Sequence, residues 1–153
     1  MITVELETEE IDRILGQLLE GLTDASPLMN DLGNYLLATT QDRMTRGEQP
    51  DGQPFAPRSQ TTLDRYGQIP LGPPLRKTGT MRQQIAYNYG PDWVGIGSNA
   101  IQAAVMQFGA QKHSLGPASP WGDIPARPFI GLSDEDQSQI LGIIIEWLDS
   151  LAQ

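Results

Sequence analysis

The chain opens with two hydrophobic patterns in succession. Residues 2–6 alternate apolar and polar side chains, which is the period of a short, half-buried strand. From Ile11 to Leu22, apolar residues recur at the spacing of one helix face, after a first turn whose acids suit the helix dipole. The pattern predicts a strand followed by an amphipathic helix, with Thr8 as the N-cap.

Two further helices are predicted, one early in the chain and one at its end. The early one begins near Ser26, with proline at its first helical position, and runs to about Arg46. The last begins at Ser133, and Asp136 follows three residues later at capping-box spacing, although Asp replaces the usual Glu or Gln. Its body, residues 140–151, is apolar on nearly every side. Such a helix lies either in the centre of the core or beneath another subunit.

The middle of the chain contains a predicted hairpin and a short helix. The segments IAYNYG (85–90) and DWVGIG (92–97) have strand composition and are separated by a turn. A short helix, AIQAAVMQF (100–108), is expected to follow, with Ser98 as its N-cap and Gly109 at its C-terminal end.

Long loops occupy much of the remaining chain. Residues 47–74 and 110–128 show neither the helix nor the strand period and are rich in proline and glycine. A helical turn is expected within the first of them, at 61–66, and another after it, at 78–84. Loops of this length are uncommon in a compact domain unless they bind a partner.

These elements predict a single α+β domain over residues 1–153, in which a small antiparallel β-sheet packs with two N-terminal helices and a C-terminal helix. The apolar fraction of 39%, with 16 Gly and 12 Pro, indicates a modest core. No apolar run reaches the roughly 18 residues of a membrane span, and the acidic start is unlike a secretion signal, so we expect no membrane contact. The chain has no cysteine, which excludes disulfides and thiolate metal sites.

The net charge of −9 is unevenly distributed. Residues 1–31 hold eight acids and one arginine, and residues 128–153 hold five acids and no base. Residues 32–127 hold nine bases and six acids. Non-specific duplex binding needs a basic face and is not expected. The acidic ends are either solvated helix faces or surfaces that meet complementary neighbours in an assembly.

The chain offers little for catalysis. Its single histidine, His113, lies in a loop beside Lys112, and no serine or acid partner is indicated nearby. The acids Asp134, Glu135 and Asp136 are explained by their place at a helix N-terminus, and calcium-loop spacing is absent. We therefore expect no enzymatic activity, no metal and no cofactor.

A small basic group and two tryptophans are candidate contact residues. Arg76, Lys77 and Arg82 form either a solvated face or a contact to an acidic neighbour. Trp93 and Trp121 are either packing residues or, for Trp121 in its loop, a contact to a partner.

Four stretches, in this order and at these spacings, resemble the phage virion morphogenesis family. They are PDGQPFAPRS (50–59), LRKTGTMRQQI (75–85), VGIGSN with AAVMQFGA (94–110) and IPARPFIGLSDED (124–136). Family members often have Trp where Phe55 stands, and a Tyr-Ala pair with a His before the QFG, where this chain has Ala-Ala-Val-Met at 103–106. The missing histidine argues further against catalysis.

The resemblance implies a structural virion protein, made and assembled in the bacterial cytoplasm, that completes the tail or neck and allows stable head–tail joining. It implies a homo-oligomeric ring, a hexamer or dodecamer, that contacts other tail or neck proteins. DNA would pass through the ring without sequence-specific binding, and an acidic inner surface would let it slide. The alternative is a soluble assembly factor or chaperone that the finished virion does not retain.

The segment IPARPFIGLSDED is predicted to be a structural joint. Pro125 and Pro128 hold the residues before them in extended conformations. Phe129, with Ile130 and Leu132, is expected to anchor the segment in the core.

Arg127, between the two prolines, is expected to meet a carboxylate in its own subunit or in a neighbour. Its replacement by alanine would then impair assembly more than folding. The candidate interface or assembly residues are Arg127, Pro128, Phe129, Trp121, Phe108, Arg76, Lys77, Arg82 and Trp147.

Overall fold

The computed structural model describes residues 9–66, 72–75, 78–117 and 122–152. Within these ranges the chain forms six helices and one two-stranded sheet, which confirms the α+β class. In order they are α1 (Glu9–Thr23), α2 (Ser26–Arg46), α3 (Gln60–Tyr66), α4 (Thr80–Gln83), β1 (Ile85–Tyr89), β2 (Val94–Ser98), α5 (Ala103–Phe108) and α6 (Asp134–Leu151). None of the described helices combines the length and apolarity that crossing a membrane requires.

The central element is α2, which forms where the sequence predicts it. Leu28, Leu32 and Leu36 are buried along one face. The helix ends at Gly47, whose positive φ of 80° allows its N–H to bond the carbonyl of Arg43 at 2.8 Å. Its 21 residues span about 30 Å, so each end can support a separate hydrophobic cluster.

The predicted hairpin is confirmed, and its inner face lies on α2. The strands are antiparallel, with Tyr87 opposite Ile96. The Tyr87 hydroxyl donates to the amide oxygens of Asn30 (2.9 Å) and Asn34 (3.0 Å) on α2. The ring comes so close that a Cβ added to Gly33 would lie 2.1 Å from it. A glycine in the middle of α2 therefore lets sheet and helix meet.

Two hydrophobic clusters lie near the two ends of α2. The cluster at the C-terminal end consists of Met44, Phe55, Met81, Ile85, Ala100 and Phe129. The cluster at the N-terminal end consists of Ala25, Leu28 and Leu32, with Ile140, Ile143, Ile144 and Trp147 of α6 packed against it. The joint before α6 thus packs at the C-terminal end of α2 and the body of α6 at the N-terminal end, while the hairpin contacts both clusters, with Ile85 at one and Val94 at the other.

The last helix is not central to the core, so that alternative from the sequence is wrong. Asp136 is the one buried residue of α6, while Leu141 and Ile145 are 60% and 58% exposed. Helix α1 packs against α6, and a Cβ on Gly21 would overlap the side chain of Leu151. Helix α6 thus covers the N-terminal cluster, α1 packs on α6, and both helices leave apolar side chains exposed.

Some local predictions fall outside the described residues or are corrected. The strand at 2–6 and the cap at Thr8 lie outside them. Ser98 does not cap α5, because it ends β2 and its hydroxyl accepts the N–H of Ala100 at 3.2 Å. The residue before α5 is Gln102, which makes no side-chain cap.

The loop after α2 is fixed by one aromatic residue. Phe55 is buried in the C-terminal cluster and its N–H bonds the carbonyl of Gly47 at 2.8 Å. The two predicted helical turns are present as α3 and α4. The segment from 47 to 59 is therefore attached to the core even though it lacks a hydrophobic period.

Candidate functional site

The joint before α6 contains a buried ion pair. Asp136 completes the predicted capping box, because Ser133 accepts its N–H (3.0 Å) and donates its own N–H to the carboxylate (2.8 Å). The same carboxylate accepts hydrogen bonds from Arg43 (2.5 Å), Tyr35 (2.9 Å) and Thr39 (3.0 Å) on α2. One carboxylate therefore caps α6 and fixes it to α2.

The ionisation of this group follows from its surroundings. Burial raises the pKa of Asp136, but the hydrogen bonds that it accepts, first those from Ser133, outweigh this effect and lower the pKa to about 2. Burial and the bond to Asp136 raise the pKa of Tyr35 to about 12. The carboxylate stays charged and the phenol neutral at neutral pH.

Gly131 lets the joint approach the loop after α2. Its carbonyl accepts a hydrogen bond from Arg43 at 2.8 Å, and a Cβ at this position would lie 2.8 Å from the ring of Pro50. Arg43 thus bonds both the joint and the helix cap that follows it.

Arg127 bonds carbonyl oxygens of the loop 47–59. It is buried, and its guanidinium donates to the carbonyls of Ala56 (2.7 Å) and Pro57 (2.6 Å), with a longer bond to Pro125. Burial first, and the charge of Arg58 second, lower the pKa of Arg127. A carboxylate in its own subunit was one expected partner, and within the described residues carbonyls take that place. The contact joins two loops of one chain.

Phe129 is the anchor that the sequence predicts, with no exposed surface. Gln107 supports it, because its amide oxygen accepts the N–H groups of Phe129 (3.0 Å) and Ile130 (3.1 Å) and its amide nitrogen donates to the Ile130 carbonyl (2.9 Å). The Gln107 side chain thus makes the backbone hydrogen bonds that a neighbouring strand would otherwise make. Ile130 packs against the cluster, but Leu132 is half exposed, and its predicted anchoring is wrong.

Helix α5 carries an exposed apolar patch. Ala104 and Phe108 are exposed on α5, and Ile101 is exposed in the turn before it; Ile101 and Phe108 are 98% and 79% exposed. The opposite side, with Ala103 and Met106, packs on the C-terminal cluster. We call Ile101, Ala104 and Phe108 the α5 patch. Phe108 also borders an open groove of about 400 Å³ whose other wall is residues 124–126.

More apolar side chains are exposed on α1 and α6, two helices that contact each other. Six large side chains there are each more than half exposed. They are Ile11, Leu15, Leu19, Leu22, Leu141 and Ile145, and we call them the helical face. Trp147 lies on the inner side of α6, half-buried against Ala25, Leu28 and Leu32.

The remaining candidate residues are dispersed. Trp121, Arg76 and Lys77 lie outside the described residues. Arg82 donates to the hydroxyl of Thr45 at 3.0 Å. Pro128 lines a second groove, of about 640 Å³, between the turn at 49–52 and the start of α6.

Titratable groups do not form a catalytic cluster in the part of the chain that the structure describes. His113 is exposed, in a turn with a φ of 67°. No three His, Cys, Asp or Glu residues among those described are close enough to hold a metal. The titratable groups that do lie close together, Tyr35, Arg43 and Asp136, bond to one another and connect α2 to the joint.

Sequence reasoning named Asp136 and Phe129 but missed their partners, Arg43 and Gln107. One signal for Arg43 was present, because it continues the series Leu28, Leu32 and Leu36 along the buried face of α2. A charged residue at such a position indicates a buried partner. Nothing in the sequence around Gln107 indicates that its amide bonds a backbone 22 residues away.

Comparisons with known proteins agree with one another. A model of the phage virion morphogenesis family matches residues 6–149. The chain is 27% identical to tail completion protein S of Escherichia phage P2, over 90% of this chain and 94% of that protein. It is 25% identical to Mu-like prophage FluMu G protein 2 of Haemophilus influenzae, over 99% of each, and 33% identical to putative capsid assembly protein G of Escherichia phage Mu, over 71% and 70%. No solved structure matches. The chain belongs to the phage virion morphogenesis family.

Proposed function

We propose that the chain is a non-enzymatic structural subunit that completes the tail or neck of a phage particle and allows the head and tail to join stably. Its relatives are named as tail completion and capsid assembly proteins, so a role in phage morphogenesis is their common feature. The finer proposal is that several copies form a ring around the DNA channel and remain in the virion.

One observation carries this proposal, namely the helical face. Six large apolar side chains more than half exposed on two adjacent helices form a surface that a solitary subunit would not favour. Each would gain about 1 kcal/mol from burial of its exposed part. A role in contacts between proteins accounts for this surface. The groups that converge at the joint bond α2, the joint and the loop 47–59 to one another.

The test is the composition of the particle. We expect quantitative mass spectrometry of purified virions to detect this chain in several copies per particle. We also expect a deletion to leave separate heads and tails, with joining restored by the gene in trans. Normal virions that lack the chain, combined with a loss of particles on deletion, would instead support the soluble assembly factor.

A further inference from the structure

We propose that strand β1 is a docking edge for a second copy of this chain, whose residues 2–6 add to it as a third strand of the sheet. The inference rests on the proposed ring and names the contact that joins its subunits. Residues 2–6 carry the alternation of a strand in the sequence and lie outside the described residues.

The backbone of β1 has an open edge. At the hairpin turn, Gly90 donates its N–H to the carbonyl of Trp93 at 2.8 Å. Because hydrogen-bonded and non-bonded pairs alternate along an antiparallel ladder, the N–H and C=O groups of Ile85, Tyr87 and Tyr89 point away from β2. Among the described residues, no backbone hydrogen bond reaches these groups. They are placed to pair with a further strand.

The sequence of β1 also lacks the features that block strand addition. Exposed edge strands are commonly protected by charged side chains, by proline or by a bulge. The strand IAYNY, residues 85–89, contains no charge and no proline, and it pairs residue for residue with β2. The edge is therefore open in side-chain chemistry as well as in hydrogen bonding.

The two sides of β1 match the two sides of the segment 2–6. Tyr87 and Tyr89 lie on the inner side with their ring centroids 6.2 Å apart, and Tyr89 is 45% exposed. Ala86 and Asn88 lie on the outer side and are exposed. The segment has apolar residues at positions 2, 4 and 6 and polar residues at positions 3 and 5. Added to β1, it places its apolar side chains beside the tyrosines and its polar side chains in solvent.

The open edge faces away from α6. Val94 of β2 packs on the N-terminal cluster, as the inner side of α6 does. Tyr87 of β1 instead bonds Asn30 and Asn34 of α2. Each asparagine is two residues from Leu32 of that cluster, so both lie about 160° round the helix from it. Strand β2 is therefore on the α6 side of the hairpin, and β1 is on the far side.

This placement selects a second copy as the source of the strand. Helix α1 packs on α6, so it lies on the β2 side of the hairpin. Leu6 and Glu9 are three residues apart and can be separated by at most about 11 Å. A strand added beyond β1 lies about 10 Å from β2, and α1 lies roughly a further 10 Å beyond β2. The segment of one copy therefore falls short of its own β1 and is available to the β1 of a neighbour.

A contact of this kind is heterologous, because the segment and the edge are different parts of the chain. Each added copy leaves one segment and one edge free, and the series closes into a ring when the rotation per copy allows it. Strand addition at β1 thus supplies a contact from which the proposed ring can be built.

Cross-linking tests the pairing directly, because the natural chain has no cysteine. Glu5→Cys and Asn88→Cys, both at outer positions of the extended sheet, are prepared separately, mixed and treated with a short bismaleimide. We expect the mixture to give at least ten times more covalent dimer than either variant alone. The chain that carries both substitutions should give a ladder that ends at the ring size measured by native mass spectrometry. The same treatment is applied to virions from cells that make both single variants.

Two further variants complete the test. Arg65→Cys, exposed on α3, replaces Asn88→Cys as the matched control and should not cross-link to Glu5→Cys. Val4→Pro removes a strand N–H and should raise the dissociation constant of the oligomer at least tenfold, measured by sedimentation, with an unchanged circular dichroism spectrum. It keeps the test independent of the cysteine variants if one of these is unfolded.

Two results would overturn the pairing. A cross-link within one copy of the double variant would show that the chain completes its own sheet. Absence of the product that joins positions 5 and 88, both in solution and in virions, would show that another contact joins the copies. Either result leaves the chain in the virion and the proposed function intact, whereas absence of the chain from virions would refute that function separately.

Discussion

At the scale of single residues, Asp136 has two structural roles. It caps α6 through Ser133 and forms the buried partner of Arg43 on α2. Removing one partner of a buried pair leaves the other charge without compensation, which is more costly than the pair itself is favourable.

Asp136→Asn should therefore lower the free energy of unfolding by about 3 kcal/mol. The change keeps the shape of the side chain and removes its charge, and urea unfolding followed by circular dichroism measures the effect. Asp134→Asn is the control, since it lies in the same helical turn but is exposed, and it should change stability by less than about 0.5 kcal/mol. Equal losses in the two variants would show that the helix dipole, and not the ion pair, accounts for the effect.

The same carboxylate predicts a pH dependence. Its pKa in the folded protein, about 2, is below the unfolded value of about 3.9. The unfolded state therefore binds the proton first as the pH falls, so the stabilisation is complete above about pH 4 and is lost towards pH 2. Urea unfolding between pH 5 and pH 2.5 should show the natural chain and Asp136→Asn converging. A constant difference over this range would contradict the assignment.

Arg127 is the second residue with a testable role. Lysine cannot bond the Ala56 and Pro57 carbonyls together as the guanidinium does, so Arg127→Lys should cost about 1–2 kcal/mol. Arg65→Lys, exposed on α3, is the control and should have little effect in the same urea titration.

The two explanations of the role of Arg127 differ in whether its replacement first impairs assembly or first impairs folding. The sequence predicts an assembly defect, whereas the carbonyl contacts predict a folding defect from which loss of assembly would follow. A variant of normal stability that fails to assemble would favour a carboxylate on a neighbouring subunit.

At the scale of elements, one glycine in α2 and one in α6 separate the effect of side-chain packing on stability from the effect of helix propensity. Alanine is the better helix former by about 1 kcal/mol, and Gly142 in α6 has open space where a Cβ would lie. Gly33 in α2 lies against the ring of Tyr87, so a Cβ there forces the hairpin to move.

Gly142→Ala should therefore raise the melting temperature, and Gly33→Ala should lower it by several degrees. The expected cost of Gly33→Ala is about 1–3 kcal/mol. Thermal unfolding by circular dichroism compares the two directly. A gain in both variants would mean that the hairpin does not pack closely on α2.

The elements differ in how far the sequence predicts them. α1, α2, α6 and the hairpin each carry a local signal, in their hydrophobic period, capping residues or turn, and each forms where that signal lies. The false cap at Ser98 shows the limit, because a serine before a helical pattern was followed by a turn. The partners of Asp136 on α2 and of Arg127 in the loop 47–59 lie 70 or more residues away and depend on how the elements pack, which no local pattern contains.

At the scale of the whole molecule, buried polar contacts connect the elements inside the subunit, and apolar side chains are exposed on its surface. The ion pair and the Arg127 contacts hold the joint, α2 and the loop together, while the helical face and the α5 patch remain uncovered. A subunit with two different exposed apolar surfaces can form the heterologous contacts from which rings are built.

A cryo-electron microscopy reconstruction of the purified phage particle tests this explanation most directly. We predict a ring of this chain at the head-proximal end of the tail or in the neck, with the helical face in contact with a neighbouring protein and DNA passing through the centre. Particles that are complete and infectious with no density for this chain at the tail end or neck would contradict it.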